Sequence, residues 1–369
     1  MVKRLFAMVL LLAVGLAAGV GTKWLVERHE HDKALEAAFD RLRLYHDLRQ
    51  AALEDYLGST ASDVRAASEN PQVIEAMEKI DFAWQTYGPD ARRVLPRLYI
   101  EQNPAPPNQK YRLQDAGDGS YYSQYHSAFH VWARRFLKHF GYHDAFLINP
   151  RGDIVYSITK ERDFATSLKT GPYRTSPLAD VFRRAIRNPS GAVDFSDFAP
   201  YPPSGGKPAA FAGHAIFKDG KAIGVFAVQI PAEPLNALVH VTAGMGASGE
   251  TYLVGSDGLM RSQSRFASEP TLLSTKVDNA STREAADGKS GAHIIEDYRG
   301  IPVLSVYAPV NFGGQPWILL AEIDRDEVLS KQNPWLPLAA GVFAGLLAMG
   351  FTALVWRLMR RAPETATRP

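Results

Sequence analysis

A chain of 369 residues, 46% hydrophobic and 22% charged, has ample apolar material for a packed core, so disorder is excluded for most of its length. A formal net charge of +2 gives no electrostatic footprint for nucleic acid, which is not expected as a partner. Cysteine is absent, and this removes disulfides, thiolate zinc sites and thiol nucleophiles together.

The first predicted element is a membrane span. LFAMVLLLAVGLAAGVGT, Leu5 to Thr22, carries no charge over 18 residues and follows Lys3 and Arg4. It is long for a signal-peptide core and long enough to cross a bilayer, so an uncleaved span over residues 5–26 is expected. A signal peptide cut near Leu16-Ala17-Ala18 is the alternative. From Trp24 to about Ser68 there is no proline and one glycine, Gly58. Leu35, Phe39, Leu42, Leu48, Ala52, Leu53 and Tyr56 recur at threes and fours, which predicts a helix. Continuous with the span, it would run about 60 Å at about 1.5 Å per residue.

Asn70-Pro71 breaks this helix, and PQVIEAMEKIDFAWQTYG starts another with proline in its first turn. Gly88 to Gly119, rich in Pro, Asn, Gln and Gly, reads as loop. YYSQYHSAFHVWARRFLKHFG, Tyr121 to Gly141, reads as a helix closed by its glycine. Beyond Gly141 the period becomes two. AFLINPRGDIVYSIT is a hairpin and PLADVFRRAIRN a short helix stopped at Asn188-Pro189. GAVDFSDF, AAFAGHAIF and AIGVFAVQI are three more strands, the last two joined by the turn KDGK. Together they predict a five-stranded antiparallel sheet with helices to one side.

The pattern then repeats. AFLINPRGDIVYS aligns with TYLVGSDGLMRSQ, GAVDFSDF with GAHIIEDY, and IFKDGKAIGVFAVQI with PVNFGGQPWILLAEI. The three matches fall in the same order, at offsets near 106, 100 and 93 residues. EPLNALVHVTAGMGA is a short helical linker between two unequal copies.

A second span is predicted over residues 332–356, QNPWLPLAAGVFAGLLAMGFTALVW, which has no charge in 25 residues and a tryptophan at each border, Trp335 and Trp356. Arg357, Arg360 and Arg361 mark its far end as cytoplasmic, as Lys3 and Arg4 mark the N-terminus. Both termini are therefore expected inside, with the large central portion outside the cell membrane. The tail 357–369 is expected to carry no output domain.

A span, a long outer helix, two unequal PAS-like sheets and a return span resemble a double Cache sensor domain, as found in bacterial chemoreceptors, histidine kinases and cyclic-nucleotide enzymes. The resemblance covers about Trp24 to Lys331. GYHDAFLI, GDIVYS, DFATSL, GPY and DFAPYPPS are similar to the membrane-distal module of one group of chemoreceptor sensors. It implies an α+β fold: a long N-terminal helix and two PAS-like antiparallel-sheet modules, flanked by two transmembrane helices. It implies a periplasmic domain over 27–331, with a distal module at about 70–235 and a proximal one at about 245–325, in a bacterial inner membrane. In the family a small ligand lies between the distal sheet and its covering loops. The amino-acid-sensing subgroup carries an Arg-x-Trp-Tyr cluster; VWARRF here places Trp132 before Arg134 and Arg135, so that specificity is not carried over.

Tyr156, Lys160, Asp163 and Tyr173 line the segment that would cover the distal sheet, where aromatic walls with a few polar groups suit a small ligand. Surface tyrosines and lysines of this kind are also ordinary, and Asp163 could simply cap its loop. Tyr201, Phe211 and His214 are candidates from the far strands. Asp194 and Asp197 fall on opposite faces of one strand and do not converge as an acid–base pair. Asp197, beside APYPPS, could meet a ligand amine, and a solvated strand edge is the plain alternative. His126 and His130, like His139 and His143, have a spacing that can share a metal, but no His-Glu-x-x-His arrangement or cysteine supports one. Neither a Gly-x-Ser-x-Gly elbow nor a phosphate-cradling glycine loop is present, so no enzyme and no cofactor are expected.

The expected function is a two-pass sensor that binds a small polar molecule in its distal module, pairs as a homodimer in the lipid bilayer and signals through a separate partner. A receptor input half parted from its output domain, or a cell-envelope adaptor that binds protein, are the alternatives.

Overall fold

The computed structural model describes residues 2–188, 191–330 and 335–359. The expected tail beyond 359, the first three positions of the expected second span, and Pro189 lie outside the described residues.

A single helix, α1 (Val2–Ser68), makes the first span and the outer helix together. Its 67 residues extend about 100 Å at about 1.5 Å per residue. Asn70 caps α2 (Pro71–Tyr87) by accepting from the Gln72 N–H, with Pro71 in the first turn. The expected loop from Gly88 to Gly119 is partly helical: α3 (Ala91–Pro96) runs into a π-type turn over Arg97–Glu101. Ala91, Leu95 and Tyr99, four apart and all fully buried, supply the packing that outweighs the surrounding Pro and Gly. α4 (Tyr121–Phe140) begins at Ser120, whose hydroxyl caps Ser123 N–H, and ends where Gly141 N–H bonds Leu137 O.

The first sheet comprises β1 (Asp144–Ile148), β2 (Ile154–Ser157), β3 (Asp194–Phe195), β4 (Ala199–Tyr201), β5 (Lys207–Lys218) and β6 (Lys221–Ile230), with α5 (Pro177–Ala185) between β2 and β3. The order is β2-β1-β6-β5-β3, with β4 also paired to β5. Alternation gives this sheet two apolar faces. Ala145, Leu147, Ala212 and Val228 pack towards α1, α2 and α4, while Phe146, Ile148, Phe211 and Ala227 pack towards Leu178 and Phe182 of α5. Helices thus cover both faces, not one, because α5 is amphipathic enough to seal the second.

After α6 (Ala232–Val239), the second sheet holds β7 (Glu250–Gly255), β8 (Gly291–Glu296), β9 (Pro302–Phe312) and β10 (Gln315–Asp324), with α7 (Ala280–Ala286) before β8. Its order, β7-β10-β9-β8, repeats β1-β6-β5-β3 of the first. The expected second strand of its hairpin, GLMRSQ, makes only isolated bridges, Val254 to Met260 and Leu259 to Lys276. The Ser262 hydroxyl takes the Leu253 N–H at 3.0 Å, substituting a side-chain bond for a ladder rung. One face packs Leu304, Val306, Ala321 and Ile323 on Ala38 and Leu42 of α1, and the other lies under α7 and the 256–279 segment.

β10 leads through α8 (Arg325–Ser330) to α9 (Trp335–Met359), which packs along α1. Both helices are long and apolar enough to cross a membrane. They meet at glycines: a Cβ on Gly19 would stand 2.9 Å from Gly341 O, and one on Gly341 2.7 Å from Gly19 O. Small residues allow this backbone approach where lipid offers no hydrophobic drive for association. Phe6, Leu16, Phe343 and Phe351, each more than 60% exposed, point outward to where lipid would lie.

Candidate functional site

The loop that follows β2 carries the chemistry. Lys160 and Ala165 at its two ends are non-glycine residues with φ of 59° and 62°, a conformation that costs about 1–3 kcal/mol each and persists only where surroundings enforce it. What enforces it at Lys160 is burial. Its side chain turns inward, 2% exposed, and the ammonium donates to Ser157 O. It lies 4.4, 4.8 and 5.6 Å from the ring centroids of Tyr156, Phe164 and Tyr99, an aromatic box of cation-binding geometry. No acid stands within ion-pair distance of it among the described residues.

Two buried carboxylates face the same interior. Asp163 accepts from Tyr201 OH at 2.5 Å through Oδ2, while its Oδ1 is buried without a partner. Asp144 is fully used: it accepts from Ala145 N (2.7 Å), Ile158 N (2.8 Å), Thr159 N (3.1 Å) and Thr159 Oγ1 (2.5 Å). Burial pushes the Asp163 carboxyl up to about 7, the nearby Asp144 charge adding to it and the Tyr201 hydroxyl opposing it. Burial likewise raises Asp144 and lowers Lys160, whose ammonium the two aspartates partly sustain.

α4 supplies the floor. His126 and His130 stack at 4.7 Å; His130 Nδ1 bonds Tyr156 OH at 2.5 Å and its Nε2 meets Tyr111 O at 2.6 Å. His126 Nδ1 meets Gln114 O at 2.9 Å and its Nε2 is buried without a partner. Burial and the Lys160 charge hold both imidazoles well below the usual value, His130 at about 3, so both are neutral donors or acceptors.

The lid is APYPPS. Besides Tyr201, its Ser204 donates to Glu161 at 2.6 Å and accepts from Gln229 Nε2 at 3.1 Å, leaving Gln229 Oε1 buried and unpaired. The lid begins just beyond Asp197, whose carboxylate takes a two-pronged bond from Arg261 (Nε 2.8 Å, Nη2 2.9 Å) and a third from Trp317 Nε1 at 3.0 Å. Trp317 stacks on Phe312 at 3.9 Å, and both lie about 6 Å from Phe198. Gly313 fits there because a Cβ on it would lie 2.4 Å from the Phe195 ring. The lid therefore connects the buried cluster of the first sheet to the second sheet.

Of the sequence candidates, Tyr156, Lys160, Asp163 and Tyr201 converge. Tyr173 is partly buried, its ring 6.5 Å from that of Tyr201 at the margin. Phe211 packs against Tyr201 and Phe146 and belongs to the α5-side core. Three stand apart. Asp194 pairs with Arg184 at 3.0 Å, His214 bonds Ser68 Oγ at 2.7 Å and Gly191 O at 2.7 Å, and Asp197 joins the two sheets instead of meeting a ligand amine. Each is claimed by a partner that sequence spacing does not reveal. Tyr99, Asp144 and Gln229 are members that sequence reading missed, and His126 and His130 were read there only as a spacing that can share a metal.

No family model and no curated protein sequence matches the chain. Solved structures similar to it include the sensory domain of the Campylobacter jejuni chemoreceptor Tlp3 with isoleucine bound: 14% identity over 83% of this chain and 98% of that one, TM-score 0.45. The sensor domain of the Vibrio cholerae histidine kinase DctB is similar at 11% identity over 77% and 97%, TM-score 0.46. The ligand-binding domain of the Pseudomonas fluorescens chemoreceptor CtaA with L-leucine is similar at 13% identity over 76% and 97%, TM-score 0.38.

Proposed function

We propose that the chain is a two-pass membrane sensor of the double Cache kind, with a distal module at about 70–235 that binds a small polar molecule around Lys160 and Asp163 and a proximal module at about 245–325. The observation that carries this is the unfinished polar interior: an ammonium without an acid partner beside a carboxylate oxygen and an amide oxygen without donors, all buried. Such groups cost free energy unless something satisfies them. A ligand with both a hydrogen-bond donor for Asp163 and an acceptor for Lys160 meets both needs. It binds without chemistry.

To admit it, the Lys160 side chain must leave its aromatic box and the Tyr201–Ser204 lid must lift. Because the lid continues into Asp197, its movement acts on Arg261 and Trp317, and so on β10, α8 and the second span. A ligand that favours the lifted arrangement shifts the population of the whole chain. Both termini are cytoplasmic in this reading, and the module pair lies outside the inner membrane. The exposed Leu44 and Leu48 on α1 fit pairing of two chains along that helix, and the signal passes to a separate partner.

The test is a thermal-shift screen of the full chain in detergent micelles against amino acids, organic acids, amines and purines. At least one compound is expected to raise the melting temperature, by about 2.7 kcal/mol of stabilisation at a hundredfold excess over Kd. Asp163→Asn is expected to abolish that shift. If no compound shifts the wild type while a protein co-purifies with it, the chain is an adaptor for protein.

A further inference from the structure

The proximal sheet carries a polar row of its own. His293 of β8 pairs with Ser305 of β9, Ser305 with Glu322 of β10, and Glu322 with Glu250 of β7, so four polar side chains stand side by side on the face beneath α7. Glu250 and Glu322 are 4% and 2% exposed. Glu250 is engaged at both oxygens, by Ser264 Oγ (2.7 Å), Arg265 N (2.7 Å) and Tyr298 OH (2.7 Å), and the two hydroxyls also meet each other at 2.6 Å. Glu322 accepts from Tyr252 OH, at 2.9 Å, with the Ser305 hydroxyl close by, and among the described residues its Oε1 is buried without a hydrogen-bond partner.

A second observation comes from the repeat. Glu250 and Glu322 hold the strand positions that Asp144 and Gln229 hold in the distal module, where they are likewise cross-strand partners. There too the acid is engaged at both oxygens and the opposite side chain keeps an unpaired oxygen. In the distal module the Asp144 charge helps to sustain the Lys160 ammonium. The proximal row has no lysine.

We propose that this row is a second binding site of the chain, and that what it takes up is a single proton, held on Glu322 beside Glu250. The step is a simple protonation: solvent hydronium gives its proton to the Glu322 carboxylate and leaves as water. The surrounding charges favour it. From β7 come Glu250 and Tyr252; from the segment after β8 come Asp297, Tyr298 and Arg299. Asp324 lies two residues along β10, while His293 and Tyr307 come from β8 and β9. Glu284 of α7 bonds Tyr307 OH, and Glu327 of α8 holds Ser248. Of the cations at this end, Arg299 is spent on Asp297 and Asp324, both at 2.6 Å, and the Arg265 guanidinium bonds Ala247 O. Burial therefore raises the Glu322 carboxyl to about 8, with Asp297 and Glu250 adding to it and the Ser305 and Tyr252 hydroxyls opposing.

Below the ordinary glutamate value, folded and unfolded chains both hold this proton. As the pH rises from there to about 8 only the folded chain keeps it, so its stabilising contribution falls across that window and is spent above it. β10 leads directly into α8 and the second span, so loss of the proton places like charges between β7 and β10 immediately above the membrane.

Infrared difference spectroscopy of the full chain in micelles, titrated from about pH 6 to about pH 9.5, reads the protonated-carboxyl band directly. Part of that band is expected to disappear with a midpoint near 8 and to be missing in Glu322→Gln. It should persist in Asp163→Asn, which removes the distal acid instead. In Glu250→Gln the band should remain with its midpoint shifted to lower pH, because Glu250 is among the groups that raise it. A wild-type spectrum without the band overturns the proposal, as does a band unchanged in Glu322→Gln or a midpoint unmoved by Glu250→Gln. Neither readout depends on the distal ligand.

Discussion

Replacing Arg261 with alanine is expected to cost roughly 2–4 kcal/mol and to let the two sheets respond to denaturant separately. The guanidinium is 3% exposed and satisfies Asp197 through two bonds, Asp257 through one at 3.0 Å and Leu259 O at 2.9 Å. Removing it leaves Asp197 with Trp317 Nε1 and the Phe198 N–H. Breaking a buried pair costs about 3–5 kcal/mol, and the Asp197 side chain, still 28% exposed, recovers part of that through water. Asp197→Asn should cost less, since the amide oxygen can still accept from Trp317 Nε1. The double variant should lose less than the sum, because both changes remove the same contact. Chemical denaturation of the full chain in micelles, followed by tryptophan fluorescence, reads both the loss and any splitting of the transition. A single transition at the wild-type midpoint for Arg261→Ala would show that the sheets are held by something other than this joint.

Asp144→Ala carries the second large effect, expected at roughly 3–5 kcal/mol. The carboxylate is completely buried and ties the end of β2 back to β1 by taking two backbone N–H groups, of Ile158 and Thr159, besides the Thr159 hydroxyl. Alanine takes the acceptor from the half-buried Thr159 N–H and hydroxyl and leaves the Ile158 N–H with Ala145 O at 3.2 Å, at about 1–3 kcal/mol for each group left unmet. It also removes an anion that sustains the Lys160 charge, so Lys160 should lose its proton more readily. Asp144→Asn, which keeps one acceptor oxygen, should lose less than half as much. Equilibrium unfolding of the three proteins at one pH ranks them; equal stability of Asp144→Ala and wild type would mean that the Lys160 turn is held from elsewhere.

The repeat of one antiparallel sheet by a second was legible because each copy keeps its strand, turn and glycine in register, and strand alternation needs no partner to be read. Lys160, Asp163 and Tyr201 could be named as candidates because they are polar side chains on the segments flanking a sheet edge. The pairing of Asp197 with Arg261 could not be read, because Arg261 is 64 residues away and only the fold brings them together. Asp194 and His214 failed for the same reason. His126 and His130 were seen as a pair, but their neighbours, Tyr156 and the 111–114 segment, are set by how α4 packs. Asp144 left a trace that could have been used: an acid opens the apolar run in both copies, as Asp144 and as Glu250. An acid there looks like a turn residue until its burial is known. Tyr99 was hidden by the proline and glycine around it, which made a helical stretch read as loop.

The most direct test of ligand binding in the distal module is hydrogen–deuterium exchange of the full chain in micelles, with and without a compound that shifts its melting temperature. The expected result is slowed exchange at 156–173 and 199–206, weakened in Asp163→Asn, with a smaller change at 259–263 and 313–318 across the Asp197 joint. Slowed exchange confined to the exposed basic face of α4, around Arg134, Arg135 and Lys138, or to the proximal module alone, would contradict it.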